Sequence, residues 1–446
     1  MFVKSWAKSR KHVMDLLKEE PKMPTTNLRP LHKAALAKAE QIRRTRRHIE
    51  TPCYILDQAE LECGIQEFQD AFAQHFPTCS CFYAVKANHY DGILRTMVAH
   101  GLGLDVSSGR ELALALKCHA KVILFSGPGK TDEELLLALK YSDRVTVNLD
   151  SLCELERLSS LAQSAKHGIR AGVRIHTPVQ GAWQKFGIPL EELPAFWRKA
   201  QKQHGVCLEG IHFHLSWNRT PEKYVAVLRA LGNTLRDGFT PAMRGQVRFI
   251  DIGGGYYPHA AEGTYPWTDY RPGMSPVGRI LRLADGAFSA TTLFRHSAYL
   301  SVSQPIGHFA RDIAAAARRF IRPFVHCEYY TEPGRILCTR AMHVAVRVVD
   351  VKSPTVVITD GGINMLGWGC GESFYHPIVN LTHPAKKERE CTVFGPLCTP
   401  HDLWGYRLFT GKLASGDLLL IPFQGAYRYS MAQEFIKPIP PVVRLP

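Results

Sequence analysis

The stretch Cys81-Phe82-Tyr83-Ala84-Val85-Lys86-Ala87-Asn88 is a short apolar run that ends in a lysine and an asparagine. Residues 81–86 predict a buried strand, and seven similar runs follow along the chain, separated by segments with apolar residues at helical spacing. Regular alternation of strands and helices predicts a parallel sheet. Eight such units within about 250 residues are typical of a (β/α)8 barrel, and a doubly wound sheet is the alternative. The predicted strands are 81–86, 103–107, 122–126, 144–150, 170–175, 208–215, 248–252 and 324–330, with helices at 91–100, 109–118, 132–141 and 151–165.

Polar residues and glycines stand where these predicted strands end. In a barrel the carboxyl ends of all the strands meet on one face, which is where active sites lie. We therefore expect a lysine, acids, arginines, a histidine and a triple glycine to converge there. The positions are Lys86, Asn88, Asp105, Ser126, Asn148, Arg174, His214, Gly253, Gly254, Gly255, Glu332 and Arg335.

Beyond residue 335 the helical segments stop. Residues 342–351, 355–360, 417–422 and 435–446 alternate as strands, which predicts a separate β-rich domain. We divide the chain into a basic arm (1–50) that partly joins the β domain, a barrel (51–335) and a β-rich domain (336–446). Residues 258–305 fit neither pattern, and loops of that length are usually functional or mobile.

The charge of the chain is concentrated at its start. Of a formal net charge of +15 over 446 residues, the first fifty contribute thirteen Lys and Arg against five Asp and Glu. This arm leaves a mitochondrial transit peptide or a nucleic-acid contact open, although no recognised nucleic-acid module accompanies it. The sequence has no long apolar run, so we predict neither a membrane span nor a secretory signal. Twelve cysteines without a CxxC pair predict reduced thiols and a cytoplasmic protein, with no metal site.

Three motifs have both an ordinary and a chemical interpretation. Lys86 at a strand end is either a surface lysine at the rim or an amine desolvated enough to lose its proton and form a Schiff base. The run Ile250-Asp251-Ile252-Gly253-Gly254-Gly255 is either a turn or a phosphate-binding nest. Glu332-Pro333-Gly334-Arg335 is either a surface ion pair or part of the same site. Together the three favour a heterocycle with a phosphate arm.

With Gly395-Pro396-Leu397-Cys398, Asp402 and Gln424-Gly425-Ala426-Tyr427, the order of motifs resembles the fold-type III, alanine-racemase-like decarboxylases that use pyridoxal phosphate (PLP). This group includes diaminopimelate and ornithine decarboxylases. The resemblance runs from about residue 51 to the C-terminus, about nine-tenths of the chain. It implies a homodimer with shared active sites, no nucleic-acid or membrane partner, and an amino-acid substrate.

The resemblance also implies a role for each site residue. Lys86 resembles the Schiff-base lysine, Glu332 the carboxylate at the pyridinium nitrogen, and His214 the histidine that stacks on the ring. Cys398 resembles a cysteine supplied by the second subunit, which protonates the decarboxylated product. The remaining cofactor-binding positions are Asp105, Arg174, Ser216, Gly253, Gly254, Gly255, Arg335 and Tyr427.

The residue pair Glu332 and Cys398 favours decarboxylation over racemisation. A protonated pyridinium accepts the electrons left by loss of CO2, and an anion beside the nitrogen keeps it protonated. Racemising relatives place an arginine there. A non-catalytic PLP-binding regulator is a further alternative, although Lys86, Glu332 and Cys398 argue against it.

Two departures from the family bear on the substrate. Thr399 stands where relatives carry an acid that pairs with a distal ammonium, and Trp368 where diaminopimelate enzymes carry an arginine. Unpaired distal charges would be costly in a desolvated site. We therefore expect an unusual amino acid or conjugate, as in siderophore or secondary-metabolite pathways, with diaminopimelate as the alternative. The predicted substrate residues are Arg335, Thr399, Asp402, Trp368 and Tyr375, and Arg174, Arg219 and His401 suit an anionic conjugate.

Overall fold

A closed barrel of parallel strands forms the larger part of the molecule, as the alternating pattern predicts. The computed structural model describes residues 28–45, 48–76, 78–181, 185–264, 299–300, 302–368 and 374–445. Eight parallel strands follow one another around the barrel, and the pairing of Val145–Leu149 with Ile169–His176 closes it. The barrel strands are β2 (Cys79–Ala84), β3 (Gly103–Val106), β4 (Ile123–Phe125), β5 (Val145–Leu149), β6 (Ile169–His176), β8 (Val206–His212), β9 (Phe249–Asp251) and β12 (Glu328–Thr331).

Helices between the strands cover the outside of the barrel. Several begin at a serine or threonine whose side chain accepts from a backbone N–H of the first turn, as at Ser108, Thr131 and Ser151. These caps explain why the predicted helix starts agree closely with the observed ones. The helices are α2 (Gln58–Ala73), α3 (Asp91–Ala99), α4 (Gly109–Lys117), α5 (Asp132–Lys140), α6 (Leu152–Ala165), α7 (Leu193–Ala200), α8 (Glu222–Gly238), α9 (Pro241–Gln246), α10 (Ile306–Ala316) and α11 (Arg335–Cys338).

A second, eight-stranded sheet forms the β-rich domain. From one edge to the other its strands are 356–359, 388–394, 403–409, 379–380, 418–421, 342–353, 53–56 and 442–444, and most of the pairs are antiparallel. Its strands are β1 (Cys53–Leu56), β13 (Met342–Ser353), β14 (Val356–Thr359), β16 (Val379–Asn380), β17 (Glu388–Phe394), β18 (Leu403–Phe409), β19 (Leu418–Ile421) and β20 (Val442–Arg444). Four two-residue strands lie elsewhere: β7 (Ile188–Pro189) beside β6, and a small sheet of β10 (Gly263–Thr264), β11 (Tyr299–Leu300) and β15 (Phe374–Tyr375).

The structure differs from the sequence prediction at the start of the barrel region. Strand Cys53–Leu56, assigned to the barrel by the boundary at residue 51, pairs instead with Met342–Ser353 and Val442–Arg444 in the second sheet. The four residues are all buried, so their apolar pattern does not reveal which sheet receives them. Helix α1 (Arg29–Thr45) packs on the same sheet through Leu31, Ala35 and Ile42, as expected for part of the arm.

Other differences concern the second domain. The strand predicted over 435–446 is confined to Val442–Arg444, because Pro438, Pro440 and Pro441 cannot donate to a ladder. Strands Glu388–Phe394 and Leu403–Phe409 were not predicted, since charged and aromatic residues interrupt their alternation. Residues 1–27 of the arm and 265–298 of the 258–305 insertion lie outside the described residues. No helix in the described ranges is long and apolar enough to cross a membrane.

Candidate active site

Lys86 lies at the mouth of the barrel, one turn beyond strand Cys79–Ala84. The residues around it form a single 3₁₀ turn, Val85–Ala87. The β domain fastens this turn, because the Tyr427 N–H donates to the Ala87 carbonyl at 2.6 Å and the Asn88 amide donates to the Gly425 carbonyl at 2.8 Å. The Lys86 Nζ lies 3.0 Å from Asp105 Oδ2, and a third of the lysine side chain is exposed. The amine is therefore held in place and remains accessible.

The electrostatics of Lys86 differ from the sequence prediction. Burial alone would lower the pKa of the amine, which was the basis for expecting a deprotonated lysine. The carboxylates of Asp105 and Glu332 outweigh burial and raise the pKa above its usual value. Of the two interpretations of Lys86, that of a desolvated amine that has lost its proton is not supported at this site, because buried acids surround the lysine and favour its charged form.

Glu332 is the central acid of the site. It is 1% exposed and follows strand Glu328–Thr331. Its Oε2 lies 3.0 Å from His214 Nδ1, and its Oε1 lies 3.3 Å from Ser126 Oγ and 3.4 Å from His212 Nε2. One atom from each of His212, His214 and Glu332 lies within 4.8 Å of the others. Burial alone would raise the pKa of Glu332, but the two histidines hold it well below its usual value.

A second buried acid, Asp251, lies behind Glu332. Its Oδ1 accepts from the Gly253 N–H at 2.9 Å, and its Oδ2 accepts from the Asn148 amide at 3.3 Å. Burial and the neighbouring Glu332 raise the pKa of Asp251 well above its usual value, and they also raise that of Asp105. Burial lowers the pKa of His214 to about 4, so this imidazole is neutral near pH 7. The negative charge of this group is thus concentrated on Glu332.

The triple glycine forms a tight turn directly beside these acids. Gly253 and Gly255 adopt positive φ angles of 66° and 95°. A Cβ at Gly254 would lie 2.2 Å from the Glu332 carbonyl oxygen, and one at Gly255 would lie 2.0 Å from the Leu215 carbonyl oxygen. Only glycine fits such positions. The Gly254 N–H points at His214 Nδ1 at 3.2 Å, so the turn faces the histidine and the mouth of the barrel.

Arg335 is the centre of an aromatic and charged group next to this turn. Its guanidinium lies over Trp217 and Tyr427, 4.5 and 4.9 Å from the ring centroids. Its Nη1 lies 3.2 Å from Glu262 Oε1, and Glu262 Oε2 lies 3.8 Å from Arg428 Nη2. Burial alone would raise the pKa of Glu262, but Arg335 and Arg428 lower it. The arginine predicted for phosphate or substrate thus already has one carboxylate beside it.

The other predicted cofactor positions are distributed around the same mouth. The Arg174 guanidinium lies 4.4 Å from the centroid of the Phe186 ring. Burial lowers the pKa of Arg174, and four nearby acids partly oppose that change: Glu332, Asp150, Asp105 and Asp251. Ser216 is exposed in the loop after strand Val206–His212. Arg219 lies over the Tyr257 ring at 5.4 Å on the same loop.

Two of the predicted substrate residues have other roles. Asp402 is 1% exposed, and its two carboxylate oxygens accept from the Ile363 and Leu397 N–H groups, each at 2.6 Å. Tyr375 is buried against helix α1, where its hydroxyl lies 2.7 Å from His32 Nε2 and donates to Glu388 at 2.5 Å. We therefore correct both assignments, because these polar groups are engaged within the β domain.

The remaining predicted positions lie on two loops of the β domain. Trp368 is 44% exposed and contacts Phe435 with ring centroids 5.3 Å apart. Cys398 is exposed, and Thr399 beside it is half-buried and accepts from the His401 N–H at 3.4 Å. These loops present an aromatic ring, a thiol and a hydroxyl, without an acid at position 399 or a base at position 368.

The residues present fit pyridoxal phosphate. The mouth of the barrel brings together an accessible amine, a buried anionic carboxylate and a close glycine turn. These suit the three parts of the cofactor: an aldehyde that forms a Schiff base, a pyridine nitrogen and a phosphate. Asp105 Oδ1 and His212 Nδ1 are buried without a hydrogen-bond partner among the described residues. Such atoms are rare unless a ligand or water meets them.

A (β/α)8 barrel that carries this lysine, acid and glycine turn beside a β-rich domain defines the class of barrel enzymes that use pyridoxal phosphate. Residues 62–274 match the family model of the pyridoxal-dependent decarboxylase, pyridoxal binding domain. The diaminopimelate decarboxylase of Archaeoglobus fulgidus is 26% identical over 405 residues, covering 87% of this chain and 86% of the relative. Over residues 62–274 the chain is similar to the pyridoxal-dependent decarboxylases, and it is a PLP-dependent amino-acid decarboxylase.

Two further comparisons extend this result. The crystal structure of Helicobacter pylori diaminopimelate decarboxylase complexed with L-lysine has a TM-score of 0.70 at 22% identity, covering 91% of this chain and 94% of that one, which shows the shared fold. A Staphylococcus aureus relative named 2-[(L-alanin-3-ylcarbamoyl)methyl]-2-hydroxybutanedioate decarboxylase is 23% identical over 404 residues, covering 85% of this chain and 90% of the relative.

Sequence reasoning missed several residues that the structure brings to the site. Ser126 and Asn148 were recognised as strand ends but not as partners of the buried acids. Glu262 comes from the insertion, which carries no motif, and Arg428 directly follows Tyr427. His212 and Asp251 also belong to the site. Their positions on barrel strands could have indicated this, since alternate residues of a barrel strand face inward.

Proposed function

We propose that this enzyme decarboxylates an amino-acid conjugate, or an amino acid whose distal end lacks the ammonium of lysine, ornithine or diaminopimelate. The observation that carries the proposal is that Thr399 and an exposed Trp368 occupy the loops that the resemblance assigns to substrate. Neither side chain carries a charge that could neutralise a distal ammonium or carboxylate. An isolated charge in a desolvated site would lose its hydration without compensation.

The aromatic rim supports a bulky substrate. Trp217 is 49% exposed, lies nearly parallel to Phe374 and stacks on Arg335. Flat aromatic and guanidinium surfaces suit an amide- or carboxylate-bearing group more than a small ammonium. The Staphylococcus aureus relative is named for a substrate of this type, a carbamoyl-linked conjugate with carboxylates. A siderophore or secondary-metabolite pathway is the biological setting that we propose.

The chemistry of the site residues follows from their environment. When bound, pyridoxal phosphate supplies a ring that accepts the electron pair left by departing CO2. Lys86 would hold the cofactor covalently, and Glu332, as the site's buried anion, would keep a proton on the ring nitrogen. The glycine turn and Tyr427 would hold the phosphate, with His214 against the ring.

Cys398 would then protonate the product, as a general acid reaching the site from the partner subunit. Its exposed position on a β-domain loop is compatible with such a contact. We propose a homodimer on this basis. We also propose a cytoplasmic enzyme, since every described cysteine is a free thiol.

Diaminopimelate decarboxylation is the second candidate function. Several curated relatives carry that name, among them enzymes from Archaeoglobus fulgidus and Methanothermobacter thermautotrophicus at 26% and 27% identity. The overall likeness therefore favours it, whereas positions 368 and 399 count against it.

A substrate panel tests the proposal. Purified holoenzyme is incubated with meso-diaminopimelate, L-lysine, L-ornithine and a citryl-diaminopropionate conjugate, and CO2 release and the product amine are measured. We expect the conjugate to exceed the other substrates in kcat/KM by at least about tenfold, the effect of one well-paired polar contact. Fast turnover of meso-diaminopimelate with none of the conjugate would overturn the substrate assignment.

The Lys86→Ala variant is the control for the chemistry. It should fold but lose both CO2 release and the absorbance band of the covalently held cofactor. Retained activity in this variant would contradict the role assigned to Lys86, whatever the substrate.

A further inference from the structure

His212 is a buried histidine to which neither the family resemblance nor the proposed mechanism gives a role. It ends strand Val206–His212, two residues before His214, and it is fully buried inside the barrel. Neither ring nitrogen has a well-aligned hydrogen bond to a described residue. Glu332 Oε1 lies 3.4 Å from His212 Nε2.

A buried imidazole without a partner is unfavourable, since it loses hydration and gains no hydrogen bond. An aromatic or aliphatic residue would fill the same space without that cost. Catalytic contacts are often long in a ligand-free site and tighten when the ligand binds. The 3.4 Å approach to Glu332 is such a contact, and it identifies the carboxylate as the group that His212 serves.

Glu332 needs this contact because another acid competes with it for a proton. Asp251 is fully buried behind it, and burial together with Glu332 raises the pKa of Asp251. Two close carboxyl groups in a low dielectric cannot both ionise readily, so one of them keeps a proton. Donors decide which acid becomes the anion, and Glu332 Oε1 has two beside it, Ser126 Oγ at 3.3 Å and His212 Nε2 at 3.4 Å.

The other charged and polar groups do not settle that choice by themselves. Lys86 pairs with Asp105, and Asn148 donates to Asp251 rather than to Glu332. His214 Nδ1 contacts the other oxygen of Glu332, Oε2, at 3.0 Å, and it also lies 3.2 Å from the Gly254 N–H, which can only donate to it. The groups around Glu332 are Lys86, Asp105, Ser126, Asn148, Arg174, His212, His214 and Asp251.

We propose that His212 is a positioning residue that donates from Nε2 to Glu332 Oε1, so that Glu332 rather than Asp251 is the anion of the buried acid pair. The second oxygen of Glu332, which lies 3.0 Å from His214 Nδ1, would then remain for the cofactor's ring nitrogen. The inference rests on the role proposed for Glu332. It goes further by identifying what keeps that residue ionised and oriented.

A matched pair of variants tests the proposal in the holoenzyme. His212→Gln places an amide N–H near the position of Nε2, whereas His212→Asn places one near Nδ1, too far from Glu332. Both substitutions are polar and similar in size, so their effects on folding should be alike. The readouts are kcat, KM and the ¹⁵N NMR shift of ring-labelled PLP followed against pH.

We expect His212→Asn to lower kcat about 10- to 100-fold with little change in KM, the range for one lost hydrogen bond to a buried charge. Its ring nitrogen should lose its proton at a lower pH than in the parent enzyme. His212→Gln should retain most of the parental kcat and the parental ¹⁵N titration. Two variants that behave alike, whether both active or both impaired, would overturn the proposal.

Two controls separate this inference from its premises. His343→Asn changes another fully buried histidine, in the β-domain strand Met342–Ser353, and should lower stability without moving the ¹⁵N titration. Glu332→Gln should itself abolish the ring-nitrogen proton near pH 7. If Glu332→Gln leaves that signal unchanged, the role proposed for Glu332 fails. If only the Asn and Gln variants at 212 are indistinguishable, the inference about His212 alone fails.

Discussion

Gly255 lies where the turn beside Glu332 meets the loop after strand Val206–His212. With a φ of 95° and a hypothetical Cβ 2.0 Å from the Leu215 carbonyl oxygen, the position excludes every other residue. We expect Gly255→Ala to lower the free energy of unfolding by about 2–3 kcal/mol, from positive-φ strain and the steric clash. We also expect it to weaken PLP binding by about tenfold or more because the turn moves. Chemical denaturation and a cofactor titration by absorbance measure the two effects.

Gly245→Ala is the matched control. Gly245 lies in the short helix Pro241–Gln246, and a Cβ there would meet no atom within 4 Å. Its stability and cofactor affinity should match those of the parent enzyme. Equal losses in the two alanine variants would contradict the role given to the turn.

At the same scale, the sequence was sufficient to predict those site residues that stand at the ends of predicted strands. Lys86, Glu332 and the three glycines stand at strand ends, and a barrel brings such ends together. Asp402 and Tyr375 were assigned wrongly because the sequence does not show which backbone N–H or histidine takes up a polar group. Glu262 could not be found, since its partners Arg335 and Arg428 are close only in the folded chain.

Helix α1 is joined to the rest of the protein by a buried ion pair. Lys38 Nζ lies 2.7 Å from Asp57 Oδ2, while Asp57 Oδ1 caps helix Gln58–Ala73 by accepting from the Glu60 N–H. We expect Lys38→Met to lower the free energy of unfolding by about 3 kcal/mol, because it leaves a buried carboxylate without its cation. Urea denaturation measures the change. Arg95→Met, which removes an exposed pair with Asp91, should cost less than about 1 kcal/mol.

The same pair predicts a dependence on pH. Burial alone would raise the pKa of Asp57, but Lys38 and the Glu60 N–H hold it below its usual value. A depressed pKa in the folded state means that stabilisation is present above the unfolded pKa, about 3.9. It is lost as the pH falls through the folded value. The stability difference between parent and Lys38→Met should therefore be largest near pH 7 and shrink below about pH 4, and a constant difference would contradict this account.

At the scale of elements, the barrel strands were predictable to within a few residues, since buried β-branched runs and serine or threonine caps are local signals. Which of the two sheets a strand joins is not determined by its local sequence. Strand Cys53–Leu56 is as apolar as its barrel counterparts, and only its partners Met342–Ser353 and Val442–Arg444 show that it belongs to the other sheet.

For the whole molecule, the proposed homodimer predicts complementation between two inactive variants. If Cys398 serves the lysine of the partner subunit, each active site takes Lys86 from one subunit and Cys398 from the other. Lys86→Ala and Cys398→Ala are then each inactive, but each variant still supplies the residue that the other lacks. Mixing the two after mild dissociation should restore about a quarter of the parental activity, because half of the dimers are mixed and each contains one intact site. Steady-state assays and size-exclusion chromatography follow the result. If the mixture shows no gain despite confirmed subunit exchange, Cys398 does not act across the interface.

The strand Cys53–Leu56 also sets an order of events during synthesis. It leaves the ribosome before any part of the barrel, yet one of its partners follows the last barrel strand and the other lies at the end of the chain. The barrel strands can therefore associate on the nascent chain while the other seven strands of the second sheet have not yet been synthesised. Lys86 is then in place early, but the Tyr427 N–H that fastens its turn is synthesised only after the barrel and most of the second sheet. A competent cofactor site should thus form only once residue 427 has left the ribosome, so a chain stalled before that point should bind the cofactor poorly.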